Sequence, residues 1–331
     1  MRKKWIRGGI FLCLVLLLLS NLNRILCVKS PHGVDQTRYL YVQPKNKIDV
    51  LFLGSSHVHC NVNTQLLWDE YGMAAYLMTG AEQPLWNSYY NLKEALKTQK
   101  PKLVVLDLFC PSRFYEDFQP GWADENLDGM RISLNKLEAV YTSVQEEQSH
   151  FFLGFTEYHS RYDQLTSEDF QNFVWNRKTQ ERWKGYTPLN RHAELTEPDM
   201  SHVTASQEMT EKSKEYFEKI VELTKKEGIA LALISGPYLL EESDQEVYNS
   251  IQQLAEKEGL LFWNTNTPAH YREMGLDFST DFADHAHLNE AGSAKYTAYL
   301  GKWLSQNCSF PDRRGQKGYE SWENQLVKSG E

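Results

Sequence analysis

Three short apolar runs alternate with segments of helical period in the first third of the chain, and this alternation restricts the fold more than any other feature. IDVLFLG (48–54), AAYLMTG (74–80) and PKLVVLDLF (101–109) read as strands. Between them, TQLLWDEYG reads as a short helix closed by Gly72, and QPLWNSYYNLKEALKTQ carries apolar residues at spacings of three and four. The third run is continuously apolar, as a strand buried on both faces must be. Strand, helix, strand, helix, strand implies right-handed crossovers onto one parallel sheet. From about residue 110 to 201 the pattern breaks into a stretch rich in Trp, Tyr, Phe and charge, with short helices expected around 132–147 and 167–178. We read it as an insertion over the sheet. Alternation then resumes with SQEMTEKSKEYFEKIVELTKKEG (helix), IALALISG (strand), SDQEVYNSIQQLAEKEG (helix), LLFWN (strand) and a final helix NEAGSAKYTAYLGKWLSQ.

The first 29 residues are of another kind. Four basic residues lie in MRKKWIRGG, the run IFLCLVLLLL is wholly apolar, and SNLNRILCVKS leads into polar sequence. This is a targeting segment and stands outside the fold. Extended through NLNRILCV it approaches the roughly 20 residues that span a bilayer. No small-x-small cleavage site follows and Arg24 sits where cleavage would fall, so an uncleaved anchor is favoured over a removed signal. Basic residues before the apolar core (Arg2, Lys3, Lys4, Arg7) outnumber those after it (Arg24, Lys29), which keeps the amino terminus cytoplasmic and puts the body of the chain outside. Residues 30–46 read as a polar linker, 47–306 as the α/β domain, and 307–331 as a charged, mobile tail.

Setting aside the six basic residues of that segment leaves 29 basic against 44 acidic side chains, a net charge of −15. Such a surface repels phosphate backbones and excludes nucleic acid as a natural partner. Cys13 and Cys27 belong to the membrane segment. The remaining Cys60, Cys110 and Cys308 are too few for a disulfide framework, and pairing of Cys60 with Cys110 is left open.

Ligands of a parallel sheet sit beyond the carboxyl ends of its strands, where GSSH (Gly54 to His57) falls. A serine on a sharp strand-to-helix turn presents its hydroxyl and leaves its own N–H for an oxyanion, although small residues there also serve as ordinary turn and cap chemistry. DFADHAHLNEAG (281–292) places Asp284 and His287 three apart before the last helix. Serine needs a base, and the imidazole needs a carboxylate to orient it. Taken together, Ser56, His287 and Asp284 read as a triad, with Ser55 as the turn residue.

FLGSSH and DHAHLNEAG, as a pair, resemble the SGNH or GDSL-type hydrolase superfamily, whose serine follows the first strand and whose Asp-x-x-His precedes the last helix. The resemblance spans about residues 47–306 without the insertion. It implies a three-layer α/β/α sandwich with a central parallel sheet of flavodoxin-like type and Ser56, Asp284 and His287 as catalytic residues. The membrane anchor, the Gly-Ser-Ser form and the aromatic insertion look more like the surface-polymer acylation branch, which includes D-alanyl-lipoteichoic acid transfer and alginate O-acetylation proteins. Gly80 in MTGAEQP fits the glycine that donates an oxyanion N–H beside that of Ser56. The family's Gly-x-Asn-Asp is missing after the third strand, where LDLFCPSR stands. Gln83 or Asn87 could supply the missing side-chain amide, or could cap the following helix.

His57, His59, Cys60 and His285 admit a metal reading, but an alternating His-x-His with one thiol lacks the convergent ligand set of a zinc site, so no metal and no cofactor are expected. His57 is expected in the wall of the site, with Asn87 and Arg113 against substrate. Asp107 and Arg113 could equally form an internal ion pair. Trp86, Trp122, Trp175 and Trp183 could stack on sugar rings or pack internally. The chain thus reads as an extracytoplasmic serine esterase or O-acyltransferase on acyl esters, acetyl foremost, of a surface or exported polysaccharide. Such an enzyme takes an acylated glycan or small acyl ester as substrate and admits a membrane acyl-donor protein as partner. The alternative is a membrane-tethered carbohydrate-binding or assembly factor that keeps the fold around a vestigial site.

Overall fold

Five parallel strands form the centre of the fold, and their side chains alternate between two apolar layers. The computed structural model describes residues 2–26, 33–109, 111, 120–146, 148–152, 159–171 and 183–323. Along the chain run α1 (Arg2–Leu26), α2 (Val34–Leu40), β1 (Val50–Gly54), α3 (Ser56–Asn61), α4 (Thr64–Tyr71), β2 (Ala75–Thr79), α5 (Leu85–Leu96) and β3 (Leu103–Asp107). The insertion contributes α6 (Pro120–Leu127), α7 (Leu134–Ser143) and α8 (Ser167–Gln171). Then follow α9 (Glu211–Glu227), β4 (Ala230–Ser235), α10 (Glu242–Glu258), β5 (Leu261–Asn264), α11 (Pro268–Met274), α12 (Glu290–Asn307) and α13 (Glu320–Glu323).

The strand order is β2-β1-β3-β4-β5, all parallel, the order of flavodoxin-type doubly wound sheets. Leu51, Leu53, Val104 and Leu106 point into the layer filled by α5, α9 and α10, where Trp86, Phe217 and Ile251 are buried. Val50, Phe52, Leu103 and Val105 point the other way, against Val58 of α3, Leu67 of α4, Tyr271 of α11 and Leu300 of α12. Helices therefore cover both faces. The expected three-layer α/β/α sandwich is the observed architecture.

Within α1, Lys3–Asn23 is a 21-residue stretch long and apolar enough to cross a bilayer, and none of it is buried against the domain. Two expectations about the flanks need correction. The linker expected over 30–46 folds from Gly33 onward: α2 buries Val34 and Leu40, and Gln36 donates from Nε2 to the Gly185 carbonyl at 2.8 Å while its Oε1 accepts from the Thr79 hydroxyl at 2.8 Å. Polar composition concealed this docking, because Gln36 is buried for its hydrogen bonds as well as its volume.

The tail, expected to be mobile from 307, is docked through Glu323. Arg313 grips the buried Asp49 carboxylate with Nε and Nη2 at 2.6 and 3.0 Å. Tyr319 and Trp322 are buried, and Trp322 Nε1 donates to the Ala75 carbonyl at 3.0 Å, capping the edge strand β2. Trp322→Ala should therefore cost about 3–5 kcal/mol of stability. A denaturant titration of the purified chain in detergent reads this directly; a mobile tail would leave the midpoint unmoved.

Candidate active site

The turn that carries Ser56 is built by what surrounds Gly54. A Cβ at Gly54, whose φ is 154°, would lie 2.6 Å from Cβ of Asp107 and 2.8 Å from Val58, so β1 can end here only on a bare glycine. Asp107, at the end of β3, is almost fully buried. Burial pushes its carboxyl up to about 7 against the opposing pull of the Phe109, Ser55 and Leu108 N–H groups. Ser55 then caps α3, its hydroxyl accepting the His57 N–H at 3.2 Å. Ser56 is the first helical residue. Its N–H stands where a helix offers no internal acceptor.

Ser56 Oγ lies 2.7 Å from Nε2 of His287, across 231 residues of sequence. On the other side of the ring, Nδ1 lies 2.8 Å from Oδ1 of Asp284. The same oxygen accepts the N–H groups of Ala286 at 2.9 Å and His287 at 3.0 Å, so the turn holds carboxylate and imidazole in one fixed relation. Oδ2 of Asp284 is taken by Nη2 of Arg191 at 2.9 Å. Burial alone would raise the Asp284 carboxyl. The His287 hydrogen bond and charge, the Ala286 N–H and the Arg191 charge outweigh it and hold the group well below the usual carboxylate range.

Two devices hold the serine and histidine segments in register. Asn61, the last residue of α3 and fully buried, accepts the Leu288 N–H at 2.9 Å, while its carbonyl accepts the hydroxyls of Ser293 and Thr297 on α12. The second is a strap, residues 185–195, at the end of the insertion. It starts at Gly185, φ 100°, where a Cβ would sit 2.6 Å from the Leu77 carbonyl oxygen. Along it, Thr187 N–H donates to the His59 carbonyl at 2.7 Å, the Leu189 carbonyl accepts from Glu290 at 3.0 Å, and Ala193 N–H donates to Phe282 at 2.9 Å. Arg191 reaches Asp284 from this strap. Neither Asn61 nor Arg191 stands out in the sequence by spacing.

The other candidates fall as follows. His57 is buried beside the triad, stacked on Phe109 at 3.9 Å, edge-on to Tyr238 and with its ring centre 6.0 Å from that of His287, so it forms part of the wall. His59 turns away to the Thr79 hydroxyl at 3.1 Å. Cys60 is a free thiol, pushed up to about 12 by burial and by the Asp284 charge; Cys110 lies outside the described residues. Among the described residues no three His, Cys, Asp or Glu side chains converge as a metal site.

Gly80 meets the insertion: a Cβ there would lie 2.5 Å from Oδ1 of the buried Asn126, whose Nδ2 donates to the carbonyls of Ala81 at 2.8 Å and Trp122 at 3.0 Å. Gln83, expected as an oxyanion donor, spends its amide within the core. Nε2 donates to Ser88 at 3.0 Å and to the Met78 carbonyl, and Oε1 accepts from Asn91 at 2.7 Å. Asn87, expected against substrate, is buried in α5 with Oδ1 accepting from Ser143 at 2.6 Å. Arg113 and Trp175 lie outside the described residues. Trp86 is core, with the Lys212 ammonium 4.1 Å from its ring centre, and Trp122 is partly exposed.

No family model matches the chain and no curated protein sequence matches it. Solved structures similar to it include a protein assigned as an acylhydrolase from Bacteroides fragilis, at 12% identity and TM-score 0.41, with 83% of this chain and 94% of that one covered. A variant of the acetylxylan esterase Axe2 from Geobacillus stearothermophilus aligns at 12% identity and TM-score 0.39, covering 83% of this chain and 100% of its own. A second Axe2 variant, described as an acetyl-xylooligosaccharide esterase, aligns at 13% identity and TM-score 0.37, covering 81% and 97%. Likeness at this level transfers neither family nor activity.

The Asn61 clasp generates one expectation: Asn61→Ala removes the acceptor of the Leu288 N–H and lets the histidine loop drift. Since a displacement of about 1 Å can cost roughly a hundredfold in rate, Ser56 reactivity should fall by that order while circular dichroism stays native. Asp284 generates another. Its folded carboxyl is held low, so its contribution to stability is complete above the ordinary carboxylate range, about pH 4, and fades only below it. Urea titrations of the native chain and Asp284→Ala should show a clear difference in stability at pH 5. The difference should shrink on further acidification.

Proposed function

We propose that this chain is an extracytoplasmic, membrane-anchored serine enzyme that cleaves or transfers acyl groups, acetyl foremost, carried as esters on a surface or exported polysaccharide. The observation that carries the reading is the continuous hydrogen-bonded chain Ser56–His287–Asp284 at the carboxyl end of β1. Such an array has one chemical use that a structural role would not require: it takes the proton from a hydroxyl as that oxygen attacks carbon.

In the first half-reaction His287 Nε2 accepts the Ser56 proton as Oγ bonds to the ester carbonyl carbon. The Ser56 and Gly80 N–H groups receive the oxyanion. When the carbon–oxygen bond to the sugar breaks, His287 returns the proton to the leaving alkoxide and the acyl group remains on Ser56. In the second half, water or another sugar hydroxyl gives its proton to His287, attacks the acyl carbon, and Ser56 leaves with the proton restored. Water makes the chain an esterase; a held sugar hydroxyl makes it an O-acyltransferase. The apolar stretch within Lys3–Asn23 and the basic residues at its start (Arg2, Lys3, Lys4, Arg7) support an anchored, outward-facing domain. The acidic surface suits a neutral or zwitterionic substrate better than a phosphate polymer.

One observation favours the alternative of a non-catalytic glycan-binding factor: the Gln83 amide that could complete an oxyanion hole is consumed internally. Losing one such donor costs about 3 kcal/mol of transition-state stabilisation, which slows a serine enzyme without abolishing its nucleophile. Labelling with a fluorophosphonate probe separates the two readings. The native chain should label and Ser56→Ala should not, and native labelling should slow on acidification as imidazole is protonated. Absence of Ser56-dependent label, with no release of acetate from an acetylated glycan, would leave the binding reading.

A further inference from the structure

The triad has a fourth charged group against it, delivered by the insertion. Asp284 offers two oxygens: Oδ1 holds His287 and two backbone N–H groups, and Oδ2 holds only the guanidinium of Arg191 among the described residues, at 2.9 Å. Arg191 is 65% exposed at its side chain, whereas Asp284 is 28% exposed, so the cation covers the open side of the carboxylate. The position is not accidental to a loose side chain. The strap that carries Arg191 is fixed on either side by the Leu189–Glu290 and Ala193–Phe282 backbone hydrogen bonds. Both anchors lie on the segment that bears Asp284 and His287.

Charge explains what such a partner does. The body of the chain carries a net charge of −15, and the charge nearest His287 is the Asp284 carboxylate on its Nδ1. A carboxylate beside an imidazole favours the protonated ring. A protonated His287 cannot take the Ser56 proton. Among the described residues, the groups facing this centre are the Ser56 hydroxyl, the His57 ring and the Cys60 thiol from α3, Asp284 from the loop of His287 itself, and Arg191 from the strap. Arg191 is the one permanent cation in that set. We propose that Arg191 is a positioning and charge-balancing residue of this site, which occupies the second oxygen of Asp284 and offsets its charge so that His287 remains an available base under mildly acidic conditions. The inference rests on the triad reading for its use in catalysis, but its electrostatic content is independent of turnover.

The test has two arms on the full chain in detergent. In the first, the His287 ring resonance, identified by its loss in His287→Gln, is followed against pH by NMR in the native chain, Arg191→Gln and Arg191→Lys. Arg191→Gln should move the midpoint upward by roughly 0.3–0.6 pH unit, the range expected for loss of a partly screened charge beyond the carboxylate. Arg191→Lys, which keeps the charge, should stay within about 0.2 unit of native, and 1 M salt should shrink the gap between native and Arg191→Gln. In the second arm, the acid limb of fluorophosphonate labelling should shift by the same amount in Arg191→Gln. Coincident His287 midpoints in native and Arg191→Gln overturn the inference, whether or not the protein labels. A shifted midpoint in a chain that never labels upholds the charge coupling and overturns the enzyme reading instead.

Discussion

The 2.7 Å contact between Ser56 and His287 is the constraint on which the rest of the structure depends. Its two partners come from opposite ends of the sheet-forming sequence, and a hydrogen bond tolerates only a few tenths of an ångström of error. Side-chain packing alone does not supply that precision between a six-residue helix and a loop. Asn61 does, because it fixes the end of α3 to the Leu288 N–H and to two hydroxyls of α12 at once. The side-chain oxygen holds the Leu288 N–H and the main-chain carbonyl holds the buried α12 hydroxyls, so drift leaves buried groups on both segments unsatisfied.

Gly54 and Asp107 set the other side of the contact. Close approach of β3 to β1 at their carboxyl ends excludes a Cβ at Gly54, and the Asp107 carboxyl faces the Ser55 N–H. The chain therefore leaves the sheet at one angle, and the Ser55 cap starts a helix there at once. Serine becomes a presented group through these restraints on the backbone before and after it. Its own residue type is only the last requirement.

Much of this was legible before the structure. Strands β1 to β3 declared themselves because strands buried on both faces need unbroken apolar runs, β4 and β5 as short apolar runs between helical segments, and the crossover helices because their apolar residues recur at three and four. Ser56, Asp284 and His287 were legible because their chemistry demands those residue types beside a strand end and a helix start. Gln83 misled for a physical reason: an amide after Gly80 suits an oxyanion and a buried network equally, and Ser88 and Asn91, which claim it, look like ordinary helix residues. The docked tail was hidden by its charge, with Tyr319 and Trp322 as the only apolar signal in PDRRGQKGYESWE. Arg191 had no signal of its own. It lies in a stretch without period, and its partner is set by strap hydrogen bonds that involve backbone alone.

The insertion is consequently more than a cover. Asn126 of α6 fastens the Gly80–Ala81 turn through the Ala81 carbonyl, and the strap bears Arg191 against Asp284. The Gly80–Ala81 turn and the Asp284 carboxylate thus lean on residues that the sheet and its crossover helices do not provide. An insertion serving only substrate selection would touch the rim and leave these contacts to the core. Because this one supplies them, changes within 120–127 or 185–195 reach the Gly80–Ala81 turn and the Asp284–His287 pair directly.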